Sequence, residues 1–231
     1  MALPARYQDA YVALRVRLGE PLSLTDGSAR VPSCPEWTVR DVLAHLVGLC
    51  EDWTRHRLEG YASASWTADQ VARYADLGVA DLLQRWAELT PSFAGLDDDP
   101  QVGPPARWAF GDAIIHEAHL RGALSADRAP NEAVLLSLKG SIVRWRAVLN
   151  RTEPATTLVV RPRDAREWVL GPPTPDPAIV IAPTAYELFR ALAGRRSREQ
   201  VRAWRWSTDP DPIRELGLPY PLQWAKTEIT D

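Results

Sequence analysis

Cysteine is almost missing from this chain: Cys34 and Cys50 stand alone in 231 residues, too few for a disulfide framework and at no zinc-ribbon spacing. A reducing, cytoplasmic setting is the simplest expectation. Lysine is as scarce, with Lys139 and Lys226 only, so arginine carries the positive charge; at a net charge of −3 there is no basic footprint for nucleic acid. No apolar run approaches the ~18 residues that span a bilayer. The opening MALPARYQDAY also lacks a basic segment followed by an apolar one, so neither membrane insertion nor export is expected. With no G-x-S-x-G elbow and no glycine-rich phosphate loop, a nucleophilic triad and a nucleotide site both lose their usual signatures. Histidine is scarce too, at four, which makes the placement of each one informative.

Two of the four lie in WAFGDAIIHEAHLRGAL, residues 108 to 124. At 3.6 residues per turn Asp112 and His116 are one turn apart, and His119 returns to within about 20° of Asp112. The three share one face of a helix. Around them Phe110, Ala113, Ile114, Ile115, Ala118 and Leu120 make most of the circumference apolar, with Glu117 and Arg121 as the evident solvent anchors, so the helix is expected to be buried on several sides. A carboxylate and two imidazoles facing an interior need partners, because an unpaired buried charge costs several kcal/mol. A metal ion would satisfy all three.

Around this helix the apolar spacing predicts a bundle. Tyr7, Tyr11, Leu14 and Leu18 form a helical stripe that Gly19 and Pro21 should end. After the polar turn at 25 to 28, RVPSCPEWT runs extended, and Thr38 with Asp41 makes a capping box for a second helix reaching to about Glu59. His45 lies at the edge of that helix's apolar arc, one turn after Asp41, which can hold its outer ring nitrogen. A third helical region over 67 to 96 breaks near Gly78, and the acidic run Asp97 to Asp99 with Gly-Pro-Pro at 103 to 105 leads into the histidine helix. Bundles build metal sites from facing helices, often with an i, i+4 pair on one of them, which suits His45 opposite Asp112 and His116.

Beyond Pro130 a fifth helix carries Val134, Leu135, Leu138, Ile142, Trp145 and Leu149. Composition then changes: TTLVV, EWVL and AIVIA, separated by proline-rich turns, read as strands. Next come a helix in TAYELFRALAGRRS, capped by Thr184 with Glu187, and a shorter one in REQVRAWRW. The tail is expected to pack through Leu216, Tyr220 and Trp224. The fold class is α+β, mainly α, with a four-helix bundle over 1–152 and a small α/β domain over 153–231, the boundary lying near 150 to 155.

Three stretches together resemble the mycothiol-dependent maleylpyruvate isomerase family, within the DinB-like metal-binding helical bundles. They are VPSCPEWTVRDVLAHLVG (31–48), DAIIHEAHLRGAL (112–124) and ELFRALAGRRSREQVRAWRW (187–206); the family's forms are CP-x-W-T-V-x-D-V-x-x-H-L, D-x-x-x-HEHDIRGAL and L-x-GRRS. Carried over by position, the resemblance implies that His45, Asp112 and His116 ligate a divalent metal, usually zinc, with positions left open for thiol or substrate. It implies mycothiol as the thiol. Two departures stand out. Some members have Glu at the position of Asp112, and the aspartate of HEHDIR is replaced by His119, which becomes either a fourth ligand that closes the site or a neighbour of the ligands.

The function implied is a metal-dependent enzyme that uses a low-molecular-weight thiol as nucleophile toward an electrophilic unsaturated small molecule. Thiolate adds to the double bond, the bond rotates, and thiolate leaves, which is an isomerisation; retention of the adduct is an S-transfer. Arg195 and Arg196, after the helix stop at Gly194, are the candidates for orienting an anionic substrate, against the plainer reading of a solvated helix end. The alternative to an enzyme is a noncatalytic metal- or ligand-binding protein in which His119 fills the open position. Partners are then a small molecule and a thiol, with the protein a monomer or weak homodimer. His56 reads as solvated surface, Cys34 as a buried loop anchor, Cys50 as core, and Trp37, Trp53, Trp86 and Trp145 as core aromatics that need no ligand.

Overall fold

A computed structural model describes residues 7–94, 105–151, 157–209 and 223–230. The chain is mainly helical with a small sheet region, and it forms two compact units that meet in sequence at 129/130. The acidic run at 97–99, Gly103, Pro104, Leu216 and Tyr220 lie outside the described residues. Among the described residues, no helix is long and apolar enough to cross a membrane.

The first unit contains α1 (Tyr7–Ser23), a hairpin of β1 (Arg30–Val31) and β2 (Cys34–Thr38), α2 (Val39–Thr54), α3 (Ala64–Arg73), α4 (Val79–Ala94) and α5 (Pro105–Ala123). Helix α1 packs on α4 and α5, and α2 on α3, α4 and α5. Contrary to expectation, α1 runs through Gly19 and Pro21 to Ser23. Leu18 and Leu22 are both fully buried, and burial of one more apolar residue at i+4, worth about 2 kcal/mol, offsets the amide that Pro21 lacks. Tyr11 anchors the interior, stacked on Phe93 with centroids 4.1 Å apart and accepting from Trp86 Nε1 at 3.0 Å. Cys50 lies in this core, where burial pushes its thiol up to about 12.

The entry to α2 is built closely. Gly27 adopts φ +80°, and a Cβ there would stand 2.6 Å from Val79 and 2.9 Å from Arg40 Cβ, so only glycine fits the turn. Thr38 then caps the helix, accepting from Asp41 N at 3.2 Å, while Asp41 Oδ2 accepts from Thr38 N at 2.9 Å. The far end comes earlier than Glu59: Thr54 is the last helical residue, because His56 turns to φ 54° and Arg57 N closes on Asp52 O at 2.8 Å. His56 itself is exposed, as read from the sequence.

The second unit contains α6 (Asn131–Leu149), β3 (Leu158–Val160), β4 (Trp168–Leu170), β5 (Ala178–Ile181), α7 (Ala185–Leu192), α8 (Arg198–Arg202) and β6 (Arg205–Trp206). Helix α6 packs on α7 and β4 and so belongs to this unit; the composition change near 150 to 155 falls inside the unit, after its first helix. The sheet order is β4-β3-β5-β6, with β3 parallel to β5 and the other pairs antiparallel. Every residue of β3 is buried, as expected of a strand covered on both faces. The segment read as a second helix through Trp206 stops at Arg202, and Arg205–Trp206 joins the sheet beside β5 instead. Between sheet and helices lies an apolar cavity of about 40 Å³ bounded by Trp145, Leu170, Val180, Leu188, Trp206 and Trp224, among others.

Candidate metal centre

Helices α2 and α5 bring together residues 67 positions apart. Ligand atoms of His45, Asp112 and His116 all lie within 4.8 Å of one another, and this is the one group of three or more His, Cys, Asp or Glu so placed among the described residues. His45 Nε2 is 3.0 Å from Asp112 Oδ2, and His116 Nε2 is 3.9 Å from Asp112 Oδ1. The His45 and His116 rings meet edge to face with centroids 4.6 Å apart. Both histidines are buried, whereas the Asp112 side chain keeps 33% of its exposure, so the cluster is reachable from solvent on the carboxylate side.

His45 does not lean on Asp41. Its Nδ1 lies 2.7 Å from Gln70 Oε1 on α3, while the Asp41 carboxylate is held by Thr38 and by Arg40 Nη1 at 3.1 Å. The cap and His45 compete for one carboxylate, and the cap, three residues away with two donors, keeps it. Gln70 in turn donates from Nε2 to Asp52 Oδ2 at 2.8 Å.

His119 is fully buried next to His116, their Nδ1 atoms 3.2 Å apart, and its Nδ1 is also 3.4 Å from Cys34 Sγ. It is not part of the three-residue group. Cys34 is thus a half-buried neighbour of the histidines on β2, not a loop anchor. Trp37 on the same strand lies nearly parallel to the His116 ring, at 14° with centroids 6.0 Å apart, and tilts over His45 at 5.5 Å. Trp53, Trp86 and Trp145 are core; Trp37 is instead part of the wall of the site.

Glu117, which looks like a solvent anchor in the sequence, is fully buried. It accepts from Arg17 Nε at 2.7 Å and from Arg121 Nε at 2.8 Å, tying α5 to α1. In the second unit Arg196 is 3% exposed and grips Glu187 with Nε at 2.6 Å and Nη2 at 3.0 Å. That pairing explains why Glu187, read as half of a capping box, does not return to Thr184: only Thr184 accepts from Glu187 N. Arg196 is therefore a buried structural pair, Arg190 is also fully buried, and the cluster is not a solvated helix end. Arg195 is half-buried, with Nη1 3.4 Å from Ala193 O.

The family model for the mycothiol maleylpyruvate isomerase N-terminal domain matches residues 12–114. Residues 12–114 belong to that family. The match takes in His45 and Asp112 and stops two residues before His116. Two crystal structures share the fold over 88% of this chain and 92% of theirs: a mycothiol-dependent maleylpyruvate isomerase, TM-score 0.56, and a histidine-to-alanine variant of such an isomerase, TM-score 0.55, each 16% identical. The fold likeness thus extends past the matched domain. No curated protein matches the chain.

Proposed function

We propose that His45, Asp112 and His116 hold a divalent metal ion, zinc by the preference of the donors, in a thiol-dependent enzyme that isomerises or S-transfers an electrophilic unsaturated small molecule, with mycothiol as the thiol. The observation that carries this is the three-atom cluster beside a partly exposed carboxylate. Zinc with nitrogen and oxygen ligands at about 2.1 Å in a tetrahedron needs ligand atoms roughly 3.4 Å apart, and a set whose atoms all lie within 4.8 Å of one another needs only a small inward adjustment to meet it. Two imidazoles and one carboxylate form a catalytic type of donor set, because a fourth position stays open.

When bound, such an ion lowers the pKa of a coordinated thiol, so that thiolate is present at neutral pH. The chain supplies the rest of the environment. Asp112 keeps the ligands open to solvent on one side, and Trp37 covers the His116 ring on another, which limits water and leaves an apolar surface for an unsaturated substrate. Of the two arginines suggested by the sequence for an anionic group, Arg196 holds Glu187 with Nε and Nη2, a pairing that removes it from that role. The noncatalytic alternative requires His119 as a fourth ligand; its Nδ1 beside Cys34 and His116 favours the open site.

The test is a screen of cis-enoic acids and other electrophiles with and without low-molecular-weight thiol, on protein of measured metal content. Turnover that requires both thiol and metal, lost in His45→Ala, is expected. Turnover indifferent to thiol, or full metal occupancy in His116→Ala, would overturn the reading.

A further inference from the structure

Gln70 is fully buried, a place where an amide must find partners for its carbonyl and its NH₂ group. It does so at both ends: Nε2 lies 2.8 Å from Asp52 Oδ2, and Oε1 lies 2.7 Å from His45 Nδ1. The order of these bonds is forced. The Asp52 carboxylate, 1% exposed and paired with Arg73 Nη1 at 2.8 Å and Arg57 Nε at 3.3 Å, only accepts, so Gln70 must turn its NH₂ toward Asp52 and its carbonyl toward His45. A carbonyl also only accepts, so His45 carries its proton on Nδ1. Nε2, 3.0 Å from Asp112 Oδ2, is then the nitrogen that would turn its lone pair to a bound metal.

Space for this arrangement is made on α2 itself. A Cβ at Gly48, three residues after His45, would stand 2.6 Å from Gln70 Cβ and 2.8 Å from its Cγ. Any side chain there would expel Gln70 from its seat.

We infer that Gln70 is a positioning residue that, oriented by Asp52 and admitted by Gly48, sets the tautomer and ring direction of His45 for metal binding. This rests on the metal reading of His45, Asp112 and His116. Partners of this kind typically contribute 10- to 100-fold in metal affinity.

Zinc affinity, measured by competition with a chelating dye on the full chain, tests it, with thermal melts of the metal-free proteins reporting on folding. Gln70→Leu fills the volume without an acceptor and should weaken zinc about 10- to 100-fold. Gly48→Ala, which leaves Gln70 present but displaced, should weaken it comparably. The double change Gln70→Glu with Asp52→Asn restores acceptor toward His45 and donor toward the acceptor's far side, and should recover binding to within about threefold of wild type. Zinc affinity in Gln70→Leu within about twofold of wild type, or a double variant no better than Gln70→Leu, would overturn the inference. Wild type that binds zinc no better than His116→Ala would instead remove the metal reading, and the inference with it.

Discussion

In the first unit the helix interfaces enclose His45, Glu51, Asp52, Gln70, His116, Glu117 and His119, whereas the second unit's buried charged side chains, among the described residues, are Arg190 and Arg196, set beside a sheet and helices that close on an apolar cavity. Ordinary packing would suffice to hold four long helices together. Burying so many polar groups costs several kcal/mol each unless they are paired, and in the first unit the pairing is dense: Glu117 with two arginines, Glu51 with Arg57, Arg73 and Arg85, Gln70 between Asp52 and His45. The second unit takes most of its order from shape, with Arg196 and Glu187 as its buried pair, the first from partners. Its chemistry therefore answers to pH, ions and single-atom changes in a way the second unit's does not.

The sharpest way to break this contrast is to remove a partner. Glu117→Ala leaves Arg17 and Arg121 without their shared counter-charge at a fully buried position, and the expected loss is about 3–5 kcal/mol, read by denaturant unfolding. A cost below 1 kcal/mol would mean that the pair is no more than a surface contact. In the second unit, Leu170→Ala enlarges the existing cavity and should cost about 2–3 kcal/mol, in the lower part of the range for such truncations, because the side chain already borders empty space. A cost as large as that of Glu117→Ala would erase the distinction between the units.

A smaller effect concerns acid. Burial alone would raise the Glu51 carboxyl, but hydrogen bonds from Arg85 and Arg57 and the charge of Arg55 outweigh it and bring it from the usual 4.5 to about 2. Because the folded-state value lies below the unfolded one, its stabilisation is complete above about 4.5 and is lost as pH falls toward about 2. Hydrogen exchange resolved by unit should therefore show α2 amides losing protection across that window before the amides of β3 do. Glu51→Gln should lower stability at neutral pH and flatten the acid slope; an unchanged slope would contradict the assignment.

How far the site is legible in the sequence depends on the range of each contact. Asp112 and His116 are one turn apart, so periodicity alone puts them on one face, and the capping box at Thr38 and Asp41 is equally local. The strands also stand out, because β-branched runs between prolines leave few alternatives. What is not legible is which distant residue answers a given polar group. Asp41 lies on the right side of α2 for His45, yet the helix cap claims it; the actual partner, Gln70, is 25 residues away on a different helix and carries no periodic mark. Glu117 looks like a solvent anchor because its counter-ion Arg17 is 100 residues away. Trp37 follows an ordinary aromatic pattern, and only the hairpin of β1 and β2 turns it toward the histidines.

The central claim is an open three-ligand metal centre on His45, Asp112 and His116, and cobalt substitution tests it most directly. The account predicts about one cobalt per chain, a visible spectrum that shifts when a low-molecular-weight thiol is added, loss of that signal in His116→Ala, and its survival in His119→Ala. A spectrum indifferent to thiol, with His119→Ala as damaging as His116→Ala, would show a closed four-ligand site and contradict the account.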